Sequence, residues 1–142
     1  MNVRRLLLGG VASGAVMWLL EGLVSQMYLG QMHTALRSHN LALNVTVSAW
    51  FWSVMIALII GLTMEFMYFA ARDRFGRGAK TAARVAFVLW LGGYVPSLIG
   101  YDMIELYPRR LLLLWGIVGL GEMIAGSVVG AWIYREAPPA AL

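Results

Sequence analysis

Cysteine is absent from this chain of 142 residues. A disulfide framework, a thiolate metal site and a thiol-based redox centre are therefore excluded. Charge is scarce as well, at 13% of residues, and there are only two histidines, His33 and His39. Both stand outside the long apolar stretches and lack the companions a zinc site needs, so no metal and no buried haem ligand is expected. The Glu-x-x-His repeat of carboxylate-bridged metal bundles does not occur. Nor is there a Walker lysine loop, a Gly-x-Ser-x-Gly elbow or a His-Glu-x-x-His helix. The segment Phe75-Gly76-Arg77-Gly78-Ala79-Lys80 has glycines and a lysine, but not at phosphate-loop spacing, and reads as a turn. No cofactor and no enzymatic activity are expected.

What is abundant is apolar sequence. Hydrophobic residues make up 61% of the chain and the mean hydropathy is +0.73. A soluble domain of this size cannot cover so much apolar surface, and a bilayer takes roughly 20 apolar residues per spanning helix. Four runs meet that length: about 6–29, 47–70, 83–104 and 111–134. The expected fold is a single all-α domain, a four-transmembrane-helix bundle. Residues 1–20 imitate a signal peptide, but the apolar run continues to about Gly30, so an uncleaved first helix is expected.

The net charge of +4 does not point to nucleic acid, because the cations gather at helix ends. Arg4, Arg5, Arg72, Arg74, Arg77, Lys80, Arg84 and Arg135 fall on one face, and Arg37, Arg109 and Arg110 on the other. The positive-inside rule then places both termini in the cytoplasm, with Arg72, Arg74, Arg77, Lys80 and Arg84 as anchors to anionic lipid. Membrane lipids are the first expected partner.

Gly92-Gly93 and Pro96 interrupt the third run. Proline removes a backbone donor, so a kink at Pro96 is expected, facing protein or water rather than acyl chains. Helix one carries Gly10 and Gly14, and helix four carries Gly119, Gly126 and Gly130. These glycines read as seams for close helix packing, within the chain or in a homo-oligomer.

Acids at membrane depth are candidate functional groups. At about 1.5 Å per residue, Glu21 stands about 22 Å above Leu6, and Asp102 about 25 Å above Val85. Glu122 falls near the middle of helix four. The expected polar cluster is Glu21, Asp102 and Glu122 with Tyr101 and Ser25. Glu65 is assigned to the inner interface, as a partner for Arg72 or Arg84.

The opening Arg4-Arg5-Leu6-Leu7-Leu8-Gly9-Gly10, the intramembrane Glu21, the basic loop Arg74–Lys80 and the ending Trp132-Ile133-Tyr134-Arg135-Glu136 together resemble small, uncharacterised four-helix membrane proteins of bacteria. That resemblance implies a four-helix fold in a bacterial inner membrane and carries no activity and no functional residue. Two functions compete on the residues alone. One is association, as an accessory or scaffold subunit or a homo-oligomer with itself or another membrane protein. The other is proton, cation or solute transport through Glu21, Glu122 and Asp102. A lipid or quinone site between the helices ranks third.

Overall fold

A computed structural model describes residues 2–134, and Arg135 and Glu136 lie outside it. The chain is helical throughout its long apolar segments, and four of them are long and apolar enough to cross a membrane: Val3–Met27, Val47–Phe75, Ala79–Met103 and Arg109–Ile133. In chain order the helices are α1 (Val3–Val24), α2 (Leu29–Ser38), α3 (Val47–Phe75), α4 (Ala79–Leu89), α5 (Val95–Met103) and α6 (Arg109–Ile133). A 3-10 turn, Ser25–Met27, extends α1. Together α4 and α5 make the third of these candidate crossings.

Local sequence sets the starts. Asn2 caps α1 by accepting a hydrogen bond from the Arg5 amide at 3.2 Å, and Thr46 caps α3 by accepting from the Ala49 amide at 3.2 Å. Both satisfy first-turn amides that have no partner within the helix. The α3–α4 turn needs φ of +86° at Gly76 and +114° at Gly78, a region open to glycine. It is tied down by Thr81 Oγ1, which donates to the Gly76 carbonyl at 2.7 Å, and by the Gly78 amide, which donates to Tyr68 Oη at 3.0 Å.

The first loop departs from expectation, because it contains α2, which buries Ala35 and Leu36. That helix is too short to span, so it is an end-of-bundle element rather than a fifth crossing. Helix two is also longer than its apolar run, because α3 continues through Arg72 and Arg74 to Phe75. Arg72 is consequently not a loop residue. It is 6% exposed and its guanidinium lies 4.6 Å from the ring centre of Tyr134 and 4.8 Å from that of Phe69.

In the third crossing the α-helical ladder gives way to a π-helical turn over Trp90–Tyr94, with Pro96 in the first turn of α5. The Val95 amide reaches back to the Trp90 carbonyl, a five-residue step. The wider turn takes up the interruption that proline imposes on the ladder. Trp90 Nε1 donates to the Gly116 carbonyl at 2.9 Å and pins this turn to α6. Beyond it α5 has no buried residue, and Gly92, Gly93, Pro96 and Gly100 are exposed. The interruption therefore faces outward from the chain, not into it.

Helix α1 packs between α3 and α6, and here the glycine seams are used. Gly10 meets Leu62, Gly14 meets the Ala57 carbonyl, and Gly61 lies against Gly10 and Gly14. On the neighbouring face of α1, Gly126 meets Ser13 and Met17, and Gly130 meets Gly9 and Glu65. In lipid there is little hydrophobic drive between helices, so such close backbone approach supplies the packing energy.

Candidate functional site

A cavity of about 810 Å³ is a groove between the halves of α1 and α3 distant from the N-terminus, floored by Tyr94 and by Gly119, Glu122 and Met123 of α6. Its walls are apolar and aromatic: Met17, Trp18, Trp50, Ile56 and Ile60. Trp18 is held in place by its Nε1, which donates to Ser53 Oγ at 3.1 Å, and it meets Trp50 edge-on at 5.5 Å. Val45, at the end of the loop before α3, closes one rim.

Two carboxyls point into this groove. Glu21 and Glu122 lie within interaction range of each other, on helices that meet through the glycine seam. Tyr28, 3% exposed, donates from its phenol to Glu21 Oε1. Tyr94 faces both acids, and its ring rests on Gly119, where a Cβ would approach it to 2.8 Å. Gly119 thus makes room for a tyrosine rather than for another helix. No donor group reaches the buried Oε1 of Glu122 among the described residues, and the Glu21 carboxyl is close enough to hydrogen-bond Glu122 when one of the two carries a proton. A polar atom in this position costs free energy unless something completes it.

The residues expected to cluster are divided by the fold. Glu21 and Glu122 come together, and Asp102 does not join them. Asp102 Oδ1 accepts from Arg109 Nε at 2.9 Å, in a separate cavity of about 370 Å³ with His39, Glu105 and Tyr107. Height along the helix gives Asp102 a plausible level, but it shares the half-buried face of Val95 and Leu98 and is taken by Arg109 at the start of α6 rather than by the groove. Tyr101 goes with it, edge-on to Tyr107 at 5.5 Å. Ser25 donates to the Gly22 carbonyl of its own helix at 3.2 Å. Burial lifts the Tyr107 phenol above its ordinary range, and Tyr101 adds to this. His39 Nε2 lies 3.0 Å from the Glu105 carbonyl, tying the end of α2 to the α5–α6 loop.

Sequence reasoning misses Tyr28 and Tyr94 as members of the site. Tyr28 follows Glu21 by two helical turns within the run expected to be helical to about residue 29, yet it reads there as an interfacial aromatic rather than as a partner of the acid. An aromatic column joins the two cavities: Tyr28 meets Trp115 at 5.7 Å, and Trp115 meets Tyr107 at 4.8 Å.

Glu65 is the second departure. It is 1% exposed, and neither carboxyl oxygen has a hydrogen-bond partner among the described residues. It does not pair with Arg84, whose guanidinium lies 6.0 Å from the Phe75 ring centre. Arg72 acts on it electrostatically without bonding to it. Arg74, Arg77, Lys80 and Arg84 are exposed around the α3–α4 turn. No group of three or more histidine, aspartate or glutamate side chains converges as a metal site among the described residues. No family model matches this chain, and no curated protein or solved structure matches it either.

Proposed function

We propose that the protein is a small membrane carrier that binds a hydrophobic organic cation in the groove and exchanges it for protons at Glu21 and Glu122. The observation that carries this reading is the pair of carboxyls at the floor of an apolar, tryptophan-walled cavity. Two acids side by side at membrane depth require a counter-charge, which a proton or a ligand cation can supply. Trp18, Trp50 and Tyr94 offer aromatic faces that attract a cation and bury its apolar body. The Glu122 carboxyl, whose near neighbour is a second acid, is a ready acceptor. The groove separates ligand from bulk water, where an ion–carboxylate contact gains strength.

The experiment is tetraphenylphosphonium binding to purified protein in mild detergent, followed by tryptophan quenching, with proton release measured in weak buffer. Binding with release of protons, lost in Glu21→Gln and Glu122→Gln, supports the reading. Equal binding of tetraphenylborate, an anion of the same shape, would overturn it.

The orientation proposed is cytoplasmic for both termini, in a bacterial inner membrane, from the basic end formed by Arg4, Arg5, Arg74, Arg77, Lys80 and Arg84. Association in a homo-oligomer or with a membrane-protein partner is the second reading. The glycines that suggest it are occupied within the chain, and its remaining support is the exposed Gly92, Gly93, Pro96 and Gly100 face of the third crossing. Neither reading makes the protein an enzyme.

A further inference from the structure

Glu65 stands where three helices meet. Gly9 of α1 and Gly130 of α6 flank its carboxyl: a Cβ on Gly9 would lie 3.0 Å from Glu65 Cδ, and one on Gly130 would overlap Glu65 Oε2. Two glycines are thus required for one glutamate to fit. Beside it is Ser13, 0% exposed, whose hydroxyl has no partner among the described residues. Ser13 Cβ and Glu65 Oε2 both approach the same point above Gly130, so the two side chains are neighbours. A buried carboxyl and a buried hydroxyl that neither bond nor face water are costly. Mere packing would be served better by Leu and Ala than by a carboxyl and a hydroxyl; the two glycines also let α1 and α6 approach, since a Cβ on either would lie 3.0 Å from the other's carbonyl oxygen.

The geometry also relates this junction to the groove. Along α1, Ser13, Met17 and Glu21 follow at four-residue steps on one face. Along α6, Glu122, Gly126 and Gly130 do the same. The two acidic levels are therefore separated by about 12 Å of helix. Met17 lies between them, 6% exposed and packed on Gly126, with Ser13 directly below. The same end of the bundle holds the apolar cluster of Leu6, Tyr68, Ala82, Val85, Ala131 and Tyr134. The ionisable groups at this end are Tyr68, Arg72, Asp73 and Arg74 on α3, Arg77 in the turn, Arg4 and Arg5 on α1, Tyr134 just past α6, and Lys80 and Arg84 on α4. Of these, Arg72 is the one whose charge acts on Glu65.

We infer that Glu65 and Ser13 form a second proton-binding station, on the N-terminal side of a Met17 plug, which exchanges protons with that face of the membrane while Glu21 and Glu122 serve the groove. The exchange is a proton transfer alone: Glu65 accepts a proton from a transient water chain and returns it, and Ser13 hands it on by donating and accepting. The station's place in a transport cycle rests on the carrier reading, but its existence does not.

The first test needs no ligand. Infrared difference spectra of reconstituted protein, taken between acidic and alkaline buffer, are expected to show a carboxyl carbonyl band that is absent in Glu65→Gln and shifted in Ser13→Ala. Glutamine keeps the shape of the side chain, and the serine variant keeps the carboxyl, so one of the two reports even if the other does not fold. If every titrating carbonyl band persists unchanged in both variants, Glu65 is a structural residue and the inference falls. The second test places the station in the cycle. Glu65→Gln should bind tetraphenylphosphonium with wild-type affinity in detergent, yet lose uptake driven by a pH gradient in proteoliposomes. Wild-type uptake in Glu65→Gln would overturn that role. Failure of the unaltered protein to bind the probe would sink the carrier reading and leave the infrared result standing.

Discussion

Gly61 on α3 lies so close to Gly14 on α1 that a Cβ at Gly61 would overlap the Gly14 amide nitrogen and the Gly10 carbonyl oxygen. Two backbones touch here with no side chain between them. The contact fixes how far apart α1 and α3 stand, and so sets the width of the groove above it.

Gly61→Ala must therefore push the helices apart. Overpacking of this kind costs about 1–3 kcal/mol, and a lower midpoint of thermal unfolding in detergent is expected. At Gly22 and Gly121 a Cβ would meet nothing within 4 Å. Alanine at either should be neutral, or stabilising by up to about 1 kcal/mol through helix propensity. Equal loss at all three sites would contradict the packing.

Gly130 and Glu65 are coupled in a way that a double-mutant cycle reads directly. Gly130→Ala alone drives a methyl into a carboxyl that has nowhere to go. With Glu65→Ala in the background, much of that loss should disappear, giving a coupling of about 0.5–3 kcal/mol. Additive losses, measured by the same unfolding midpoint, would mean the two residues do not share one space.

Trp18 and Trp50 line the groove, whereas Trp52 and Trp132 are exposed away from it. Tetraphenylphosphonium should quench fluorescence that Trp18→Phe and Trp50→Phe remove and that Trp132→Phe leaves in place. Loss of an aromatic face should also weaken binding by about 0.5–2 kcal/mol. Quenching that follows Trp132 would place the probe on the surface.

Asp102→Asn separates the two cavities by experiment. The side chain of its partner Arg109 is 85% exposed, so breaking the ion pair should leave the unfolding midpoint unchanged. Probe binding should be unchanged too, in contrast to Glu122→Gln. A parallel loss in both variants would return Asp102 to the functional cluster.

Orientation is open to a direct check because the sequence has no native cysteine to remove. Arg77→Cys should react in intact cells only with a membrane-permeant maleimide. Arg37→Cys should react with an impermeant one. The reverse pattern would invert the proposed topology.

The four crossings are legible in the sequence because length and hydropathy suffice to define them in lipid. Depth along each helix is legible too, and it sets Glu21 level with Asp102 and places Glu122 near the middle of its helix. Azimuth is not. Asp102 stands at a plausible height but beyond the π turn, where Arg109 pairs with it, and no local rule gives the facing of a helix after such a turn. Glu65 reads as interfacial because arginines follow it in sequence. Its burial depends on Gly9 and Gly130 from the first and fourth crossings, a coincidence of three segments that the pattern of any one does not record. Helix α2 escapes a hydropathy reading because Leu29, Met32, Ala35 and Leu36 make only a short amphipathic stripe in a segment too polar to span.

Helix α1 finds its two partners at different times. Glu65 and Ser13 are enclosed only when Gly126 and Gly130 of α6 arrive, and α6 leaves the ribosome after the other three crossings. At about 5–20 residues per second, those three wait some seconds in the bilayer with a carboxyl and a hydroxyl facing lipid. The nascent protein is thus most vulnerable to membrane quality control just before α6 inserts, and that helix acts as a closing stave during biogenesis.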